Sequence, residues 1–545
     1  MDQGRRPVVP AWAWTLLAGI PAAFFALFFG WPVATIIARG LRLGAVGDVL
    51  GDGGIRHVLW FTFWQAGVCT AVALVLGLAP AYVLARYDVP GRRLLLALVT
   101  VPFMLPTVVV GSAFLAILPG TLHRTVAAIV IAHVWVNLAV VVRTVGASAS
   151  QLDPRLTEAA STLGASPWKA MRHVTLPLLR PALIASGSVV FLFCFTSFGI
   201  VRVLGGPSHP TLEVEIWRRT AQTLDLRTAA VLALVQLVVV GGLVTWWSAA
   251  QARSSVATRM QTVIRPIRPH RARERWAVRV VAACTAAVVI APLAVMVERS
   301  WRTASPGSGG GASLAAWRTV FGHTPRGVGG AKPVVEHPLA TLVTSLRIAA
   351  GASLIAVVVG GLAACAIAYA RRGGRWLDAG LMLPLGTSAV TVGFGLLITF
   401  DRAPLDLRGS SIMLPLGQAL VAVPFVVRVV LPTLRAIEPG LREAAATLGA
   451  GPGRVWWEVD RPVLRRALGA GAGFAFAISV GEFGATSFLT RVGNETAPIA
   501  IARLIGRPSP FNLAQAYVLA TLLAVVTLVV TLVVDRLRGE RGASF

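Results

Sequence analysis

Apolar residues in this chain come in long blocks, separated by short polar stretches that carry most of the arginines. A transmembrane helix needs roughly 20 mostly apolar residues. On that measure twelve blocks qualify, near 12–38, 58–85, 94–118, 125–147, 182–204 and 228–250, and again near 277–297, 340–370, 377–400, 410–432, 467–489 and 513–535. The pattern predicts an all-α integral membrane protein of about 12 transmembrane helices, arranged as two halves of six.

The two halves are copies. Glu158-Ala159-Ala160-Ser161-Thr162-Leu163-Gly164 returns as Glu443-Ala444-Ala445-Ala446-Thr447-Leu448-Gly449, and 443 − 158 = 285. Aligned without gaps at that offset, 152–183 and 437–468 share 16 identities in 32 positions. An even number of spans in each half makes the repeat parallel, so the two polar segments face the same compartment. The division is 1–250 for the first repeat, 251–276 for a basic linker and 277–545 for the second repeat, with the polar segments at 153–181 and 438–466.

Each polar segment spells helix, break, helix. Asp153 suits an N-cap and Pro154 the first helical position, where the missing N–H costs nothing. Gly164 suits the left-handed position that closes the helix, and Ser166-Pro167 restarts the pattern. Glu438-Pro439, Gly449 and Gly451-Pro452 repeat these signals. Two short helices joined at a glycine make a rigid elbow.

Composition narrows the class. The chain has 545 residues, 56% hydrophobic and 13% charged, against about 25% charged in soluble globular domains. A formal charge of +27 suggests nucleic acid in a soluble protein. Here, however, the arginines flank apolar blocks and form no stripe with interleaved aromatics, so they imply membrane lipid headgroups and positive-inside anchoring, not nucleic acid. Arg5 and Arg6, Arg86 with Arg92 and Arg93, the elbows, the linker arginines from Arg253 to Arg279, and Arg371, Arg372 and Arg375 then share the cytoplasmic side, as do both termini. Gly205–Asp225, where Glu213, Glu215 and Asp225 offset Arg218 and Arg219, lies opposite. The long glycine-rich loop with Arg302, Arg318, Arg326 and Lys332 dissents mildly.

The elbows resemble the EAA loop of permease subunits in binding-protein-dependent ABC importers: Glu-Ala-Ala, a glycine four residues on, and a later Leu-Pro. Glu158, Gly164 and Leu176-Pro177 match fully; the second copy keeps Glu443, Gly449 and Pro462 but has Arg461 before the proline. The resemblance implies that Glu158, Ala159, Ala160, Gly164, Pro167 and Pro177, with Glu443, Ala444, Ala445, Gly449, Pro452 and Pro462, couple the chain to two copies of a separate ABC ATP-binding subunit, which holds the ATP and magnesium. It also implies a solute-binding protein outside and a location in the bacterial inner or plasma membrane. Fused double permeases resemble the thiamine and ferric-iron importers; the runs Cys194–Phe198, Leu204–Pro207 and Leu212–Ile216 look like the thiamine branch, whereas Gly481-Glu482-Phe483-Gly484-Ala485-Thr486 is at least as close to the iron-type and general members, so thiamine, ferric iron and related small solutes stay open.

The chain itself has no nucleotide loop, since its two lysines, Lys169 and Lys332, end no G-x-x-x-x-G-K-[ST]. No nucleophile arrangement stands out, so the chain is read as a permease subunit without enzymatic activity or bound cofactor. Polar residues in the bilayer are candidates for a solute path: Glu482 and its counterpart Ser197, His133 and its counterpart Gln418, with Phe198 and Phe483 beside them. Glu482 is expected about two turns inside its span. Phe191, Phe195 and Phe198 are expected on one helical face. Satisfied packing is the alternative for each. Cys69, Cys194, Cys284 and Cys365 lack metal-ligand spacing, so no metal site is expected and they read as packing residues. The rival class is an ion-coupled secondary transporter built from duplicated six-helix bundles, followed by a membrane scaffold; neither explains paired elbows.

Overall fold

A computed structural model describes residues 11–41, 45–254, 267–269, 272–302, 313–322, 334–369, 374–401, 405–407, 409–491, 493–507 and 509–538. Arg5, Arg6, Arg265, Arg271, Arg326, Lys332, Arg371 and Arg372, on which part of the orientation reading rests, lie outside them. Among the described residues ten helices are long and apolar enough to cross a membrane, and an eleventh span forms if one sharply bent pair is counted as one. The ten are Thr15–Gly40, Gly53–Arg86, Val126–Ala149, Trp168–Phe195, Leu226–Thr245, Ala272–Trp301, Pro338–Tyr369, Met413–Arg435, Gly453–Gly481 and Pro510–Val533.

The two third spans differ from expectation because both are broken. The block 94–118 is two helices, Arg92–Met104 and Thr107–Ile117, meeting at 104°. Leu105 precedes Pro106, and the proline ring drives its predecessor out of the α region; Leu105 is accordingly extended, at φ −72° and ψ 144°. The block 377–400 is helix Gly374–Met382, a 3₁₀ turn Leu383–Gly386 and helix Ala389–Thr399, which Ser388 caps by accepting the Val390 N–H at 3.0 Å.

The fifth spans also stop earlier than expected. In the first half the helix ends at Phe195, and a separate short helix runs Gly199–Leu204. Phe198 therefore sits beyond the break and not on one helical face with Phe191 and Phe195. In the second half the helix ends at Gly481, and Glu482 is extended at φ −67° and ψ 123°. Glu482 lies at the break itself, not two turns inside a span.

Contacts divide the chain into two compact units that cut across chain order. One holds the described residues of Met1–Val49, Ile216–Val235 and Leu314–Gly542; the other holds Leu50–Glu215 and the described residues of Gln236–Ser313. The first span thus packs with the second repeat, and Ala272–Trp301, first span of the second repeat, packs with the first. In the first unit Arg39 Nη2 donates to Ile398 O at 2.9 Å. In the second, Trp135 Nε1 donates to Val288 O at 2.8 Å, and Val278 and Val289 join Leu84, Val99, Leu138 and Val142 in one core.

Inside each unit one glycine sets how closely the second and fourth spans of a repeat approach. A Cβ on Gly77 would lie 2.6 Å from Val141, and one on Gly360 2.9 Å from Val426. Small residues at such crossings let helix backbones pack tightly where no hydrophobic force drives association. The valines keep the 285 offset (426 − 141), whereas the glycines differ by 283 (360 − 77), so the copies diverge by two residues in the second span.

Candidate functional site

Both elbows form, each as a helix, a left-handed glycine and a second helix. Asp153 caps Pro154–Thr162 by accepting the Arg155 N–H at 2.9 Å. The helix closes in a Schellman turn: Gly164, at φ +83°, donates to Ser161 O, and Ala165 donates to Ala160 O, each at 3.0 Å. The second copy repeats the closing turn but not the cap, since Glu438, ahead of Pro439–Thr447, makes no side-chain bond to the helix start. Gly449, also at +83°, donates to Ala446 O and Ala450 to Ala445 O, both at 3.0 Å.

Beyond the glycine the second limb is more than a short helix. Pro167–Ala170 runs through a π-helical turn, Met171–Thr175, directly into Leu176–Phe195; Pro452–Val455 does the same through Trp456–Asp460 into Arg461–Gly481. Proline accounts for the π turn. Pro177 and Pro462 have no N–H, and in a regular helix their rings would press on the carbonyl four residues back. Widening the turn, with Leu176 N bonded to Met171 O and Arg461 N to Trp456 O, makes room for them. The limb and the fifth span are one rod.

The elbows present matched exposed faces. Leu163 is 89% exposed and Leu448 88%. Leu156 and Leu441 are exposed at equivalent positions, as are Glu158, Ala159, Glu443 and Ala444, while Ala160 and Ala445 are half-buried. Exposed leucines at the same places on both copies are matched apolar surface and not part of a core.

Their anchoring differs. Arg442 Nε and Nη2 both donate to Asp460 Oδ1, at 2.9 and 2.7 Å, with the Asp460 side chain only 2% exposed; the guanidinium also lies 5.9 Å from the Tyr369 ring centre. The equivalent positions in the first copy are Thr157 and Thr175, where Arg86 Nη2 donates to Thr157 Oγ1 at 3.3 Å. Arg461, which stands where the first copy has Leu176, lies 3.9 Å over the Trp457 ring, so the departure from Leu-Pro is absorbed by a cation–π contact.

The intramembrane candidates fall into two groups, one in each unit. In the unit of the second repeat, Glu482 accepts the N–H groups of Ala485 and Thr486, each at 2.8 Å, and the Thr486 hydroxyl; Gln418 Nε2 donates to Thr486 Oγ1 at 3.1 Å. The Glu482 carboxylate thus holds the start of the short helix Thr486–Leu489, and Phe483 is buried beside it. In the unit of the first repeat, Ser197 and Phe198 lie in the break after Phe195, buried, and the Ser197 hydroxyl has no hydrogen-bond partner among the described residues. His133 is 1% exposed.

One grouping escaped the sequence. The fold brings His133 together with Cys69 and Cys194 from two other spans, their ligand atoms all within 4.8 Å of one another. Absence of local spacing was a poor guide, because the three residues come from three helices. Burial is what the sequence did not show for Glu213 and Glu215: both are 1% exposed, and Gln236 Nε2 donates to Glu213 Oε1.

Comparison with known proteins agrees with the duplication. The family described as "binding-protein-dependent transport system inner membrane component" matches residues 73–255 and again 356–539. Each match contains one elbow. The chain is 27% identical to the probable ABC transporter permease protein y4fN of Sinorhizobium fredii, covering 93% of both chains. It is 25% identical to the thiamine transport system permease protein ThiP of Escherichia coli, covering 99% of both. A putative 2-aminoethylphosphonate transport system permease protein, PhnU of Salmonella choleraesuis, is 31% identical over 45% of this chain and 93% of its own length.

Proposed function

Because this chain belongs to the family of binding-protein-dependent transport system inner membrane components, we propose that its two repeats form the whole membrane pathway of an ATP-driven importer. A solute-binding protein delivers the solute on one side. On the other, two copies of an ATP-binding subunit, holding ATP and magnesium, grip the two elbows, with both termini of the chain on that cytoplasmic side. The observation that carries this reading is the pair of elbows with the same Schellman turn and the same exposed leucine, each continuous with a membrane span. Motion imposed at Leu163 or Leu448 is passed along one rod to the break at Thr196–Phe198 or at Glu482.

At each break, taken by itself, we place solute contacts: Ser197 and Phe198 at one, Glu482 and Phe483 at the other, with Gln418 bonded to Thr486 behind Glu482; His133, sealed beside Cys69 and Cys194, is left off the path. Thiamine is the favoured solute and ferric iron the second, because a relative matched along its whole length is named as a thiamine permease and the runs around Cys194–Phe198 resemble that branch.

The test is solute uptake by the complete complex in vesicles. Uptake that persists when proton and sodium gradients are collapsed and stops when ATP is removed supports the importer. The reverse pattern would make the chain an ion-coupled secondary transporter. Mass spectrometry of the solute carried by the co-purified binding protein decides between thiamine and iron.

A further inference from the structure

We infer that Cys69, His133 and Cys194 form a buried binding site for a thiophilic divalent cation of the zinc class, stapling the second, fourth and fifth spans of the first repeat together.

All three residues are sealed from solvent, at 0%, 1% and 0% exposure. Cys69 Sγ stands 3.8 Å from His133 Nδ1. Zinc bound to sulfur at about 2.3 Å and to nitrogen at about 2.0 Å needs ligand atoms separated by roughly 3.5–4 Å, close to what the unloaded geometry provides. The surroundings are built to match. Asn137 Nδ2 donates to Cys194 Sγ at 3.5 Å, the kind of contact that steadies a thiolate ligand. Gln65 Nε2 holds Cys194 O at 2.9 Å, while its Oε1 lies 3.6 Å from Cys69 Sγ and offers a neutral oxygen beside the fourth position. Among the described residues His133 Nε2 and Asn137 Oδ1 have no hydrogen-bond partner. Hydrogen bonding alone therefore leaves this polar cluster under-satisfied, which is costly at such depth.

The duplication supplies an independent observation. At the 285 offset the counterparts of His133, Asn137 and Cys194 are Gln418, Ala422 and Ser479. Counting eight residues back from the paired glycines Gly77 and Gly360, the counterpart of Cys69 is Ala352. The same fold is thus made without any of these ligands, and both sulfurs and the imidazole converge only in the first repeat.

Charge selects the ion. Loading replaces the two thiol protons, which leave to water, with one dication bound by two thiolates and a neutral imidazole, so the complex has no net charge. A monovalent ion would leave a net negative charge where an unpaired charge is most expensive.

The test uses the full chain, in a background with the exposed Cys284 and the separate Cys365 replaced by serine, purified without chelator from zinc-supplemented cells. Elemental analysis is expected to find one zinc per chain. After removal of zinc, cobalt is expected to give the intense near-ultraviolet thiolate absorption. The substitutions Cys69→Ala, His133→Gln and Cys194→Ser, each borrowed from the other repeat and so compatible with the fold, should each weaken zinc binding at least about 100-fold, and Asn137→Ala roughly 10- to 100-fold. Zinc should raise the unfolding temperature of the parent and not of the triple variant. Stoichiometric zinc in the triple variant, no zinc in the parent, or a Cys69–Cys194 disulfide in anaerobically purified protein would each overturn the site.

Discussion

Replacing the elbow glycine isolates backbone geometry from every other effect. Gly164 and Gly449 both sit at φ +83°, and a Cβ added at either meets nothing within 4 Å. A side chain there has room, and its whole cost is conformational. A β-branched residue held at that φ is strained by about 1–3 kcal/mol. The two Schellman bonds that define the turn contribute about 0.5–1.5 kcal/mol each. The strain therefore matches what the turn can resist, and Gly164→Val should lower the population of the native elbow by roughly 5- to 150-fold, since each 1.4 kcal/mol is a factor of ten. Asparagine tolerates the left-handed region far better than valine. Gly164→Asn should retain most function and Gly164→Ala should fall between.

The assay is ATPase activity of the reconstituted complex, with and without loaded binding protein, beside uptake. Stimulation should fall in the order Asn, Ala, Val while the complex still assembles, because no membrane span is touched. Gly449 should give the same order, and the double valine variant should abolish transport. Equal activity for valine and asparagine at either position would refute the reasoning, since sterics and burial are alike at both and only the backbone preference differs.

Three further outcomes follow from the same geometry. Asp460→Ala leaves Arg442 unpaired in a largely buried pocket and should destabilise the second elbow, toward the low end of the roughly 3–5 kcal/mol typical of a broken buried pair; the double change Arg442→Thr with Asp460→Thr, borrowed from Thr157 and Thr175, should be milder than the single one by thermal unfolding. Pro177→Ala removes the steric cause of the π turn, so hydrogen exchange across Met171–Thr175 should slow as the segment tightens, and ATPase stimulation should drop because the elbow rotates relative to its span. Glu482→Ala strips the partner from two N–H groups and should lower the unfolding temperature, corresponding to about 1–3 kcal/mol; an unchanged unfolding temperature with reduced uptake would assign the carboxylate to the solute instead.

Features written within one element could be read from the chain, and features made between elements could not. The apolar blocks located ten continuous spans, and Asp153, Gly164 and their copies marked the elbows, because caps and left-handed glycines act over a few residues. The breaks were hidden by an ambiguity in proline. Pro80 and Pro292 lie inside unbroken helices, whereas Pro106 follows an extended leucine at a 104° bend, and nothing local separates the two cases. A rise of about 1.5 Å per residue puts Glu482 two turns inside its span only if the helix continues, and it ends at Gly481. Cys69, His133 and Cys194 are 64 and 61 residues apart in sequence, beyond the reach of any spacing rule.

Comparing the two copies reaches further than either copy read alone. Where the copies agree, as at Gly164 and Gly449 or Val141 and Val426, both repeats need the same backbone or the same crossing. Where they differ at a buried polar position, the fold permits both residues and cannot be what requires either. By that test Arg442 with Asp460, against Thr157 with Thr175, is a local choice that stiffens one elbow more than the other. Two motor subunits bound to this single chain would then meet unequal partners, one elbow held by a buried ion pair and the other by a single hydroxyl. Strokes delivered through the first elbow should be the more easily lost to bending, and lesions at Gly164 should impair transport more than the same lesions at Gly449.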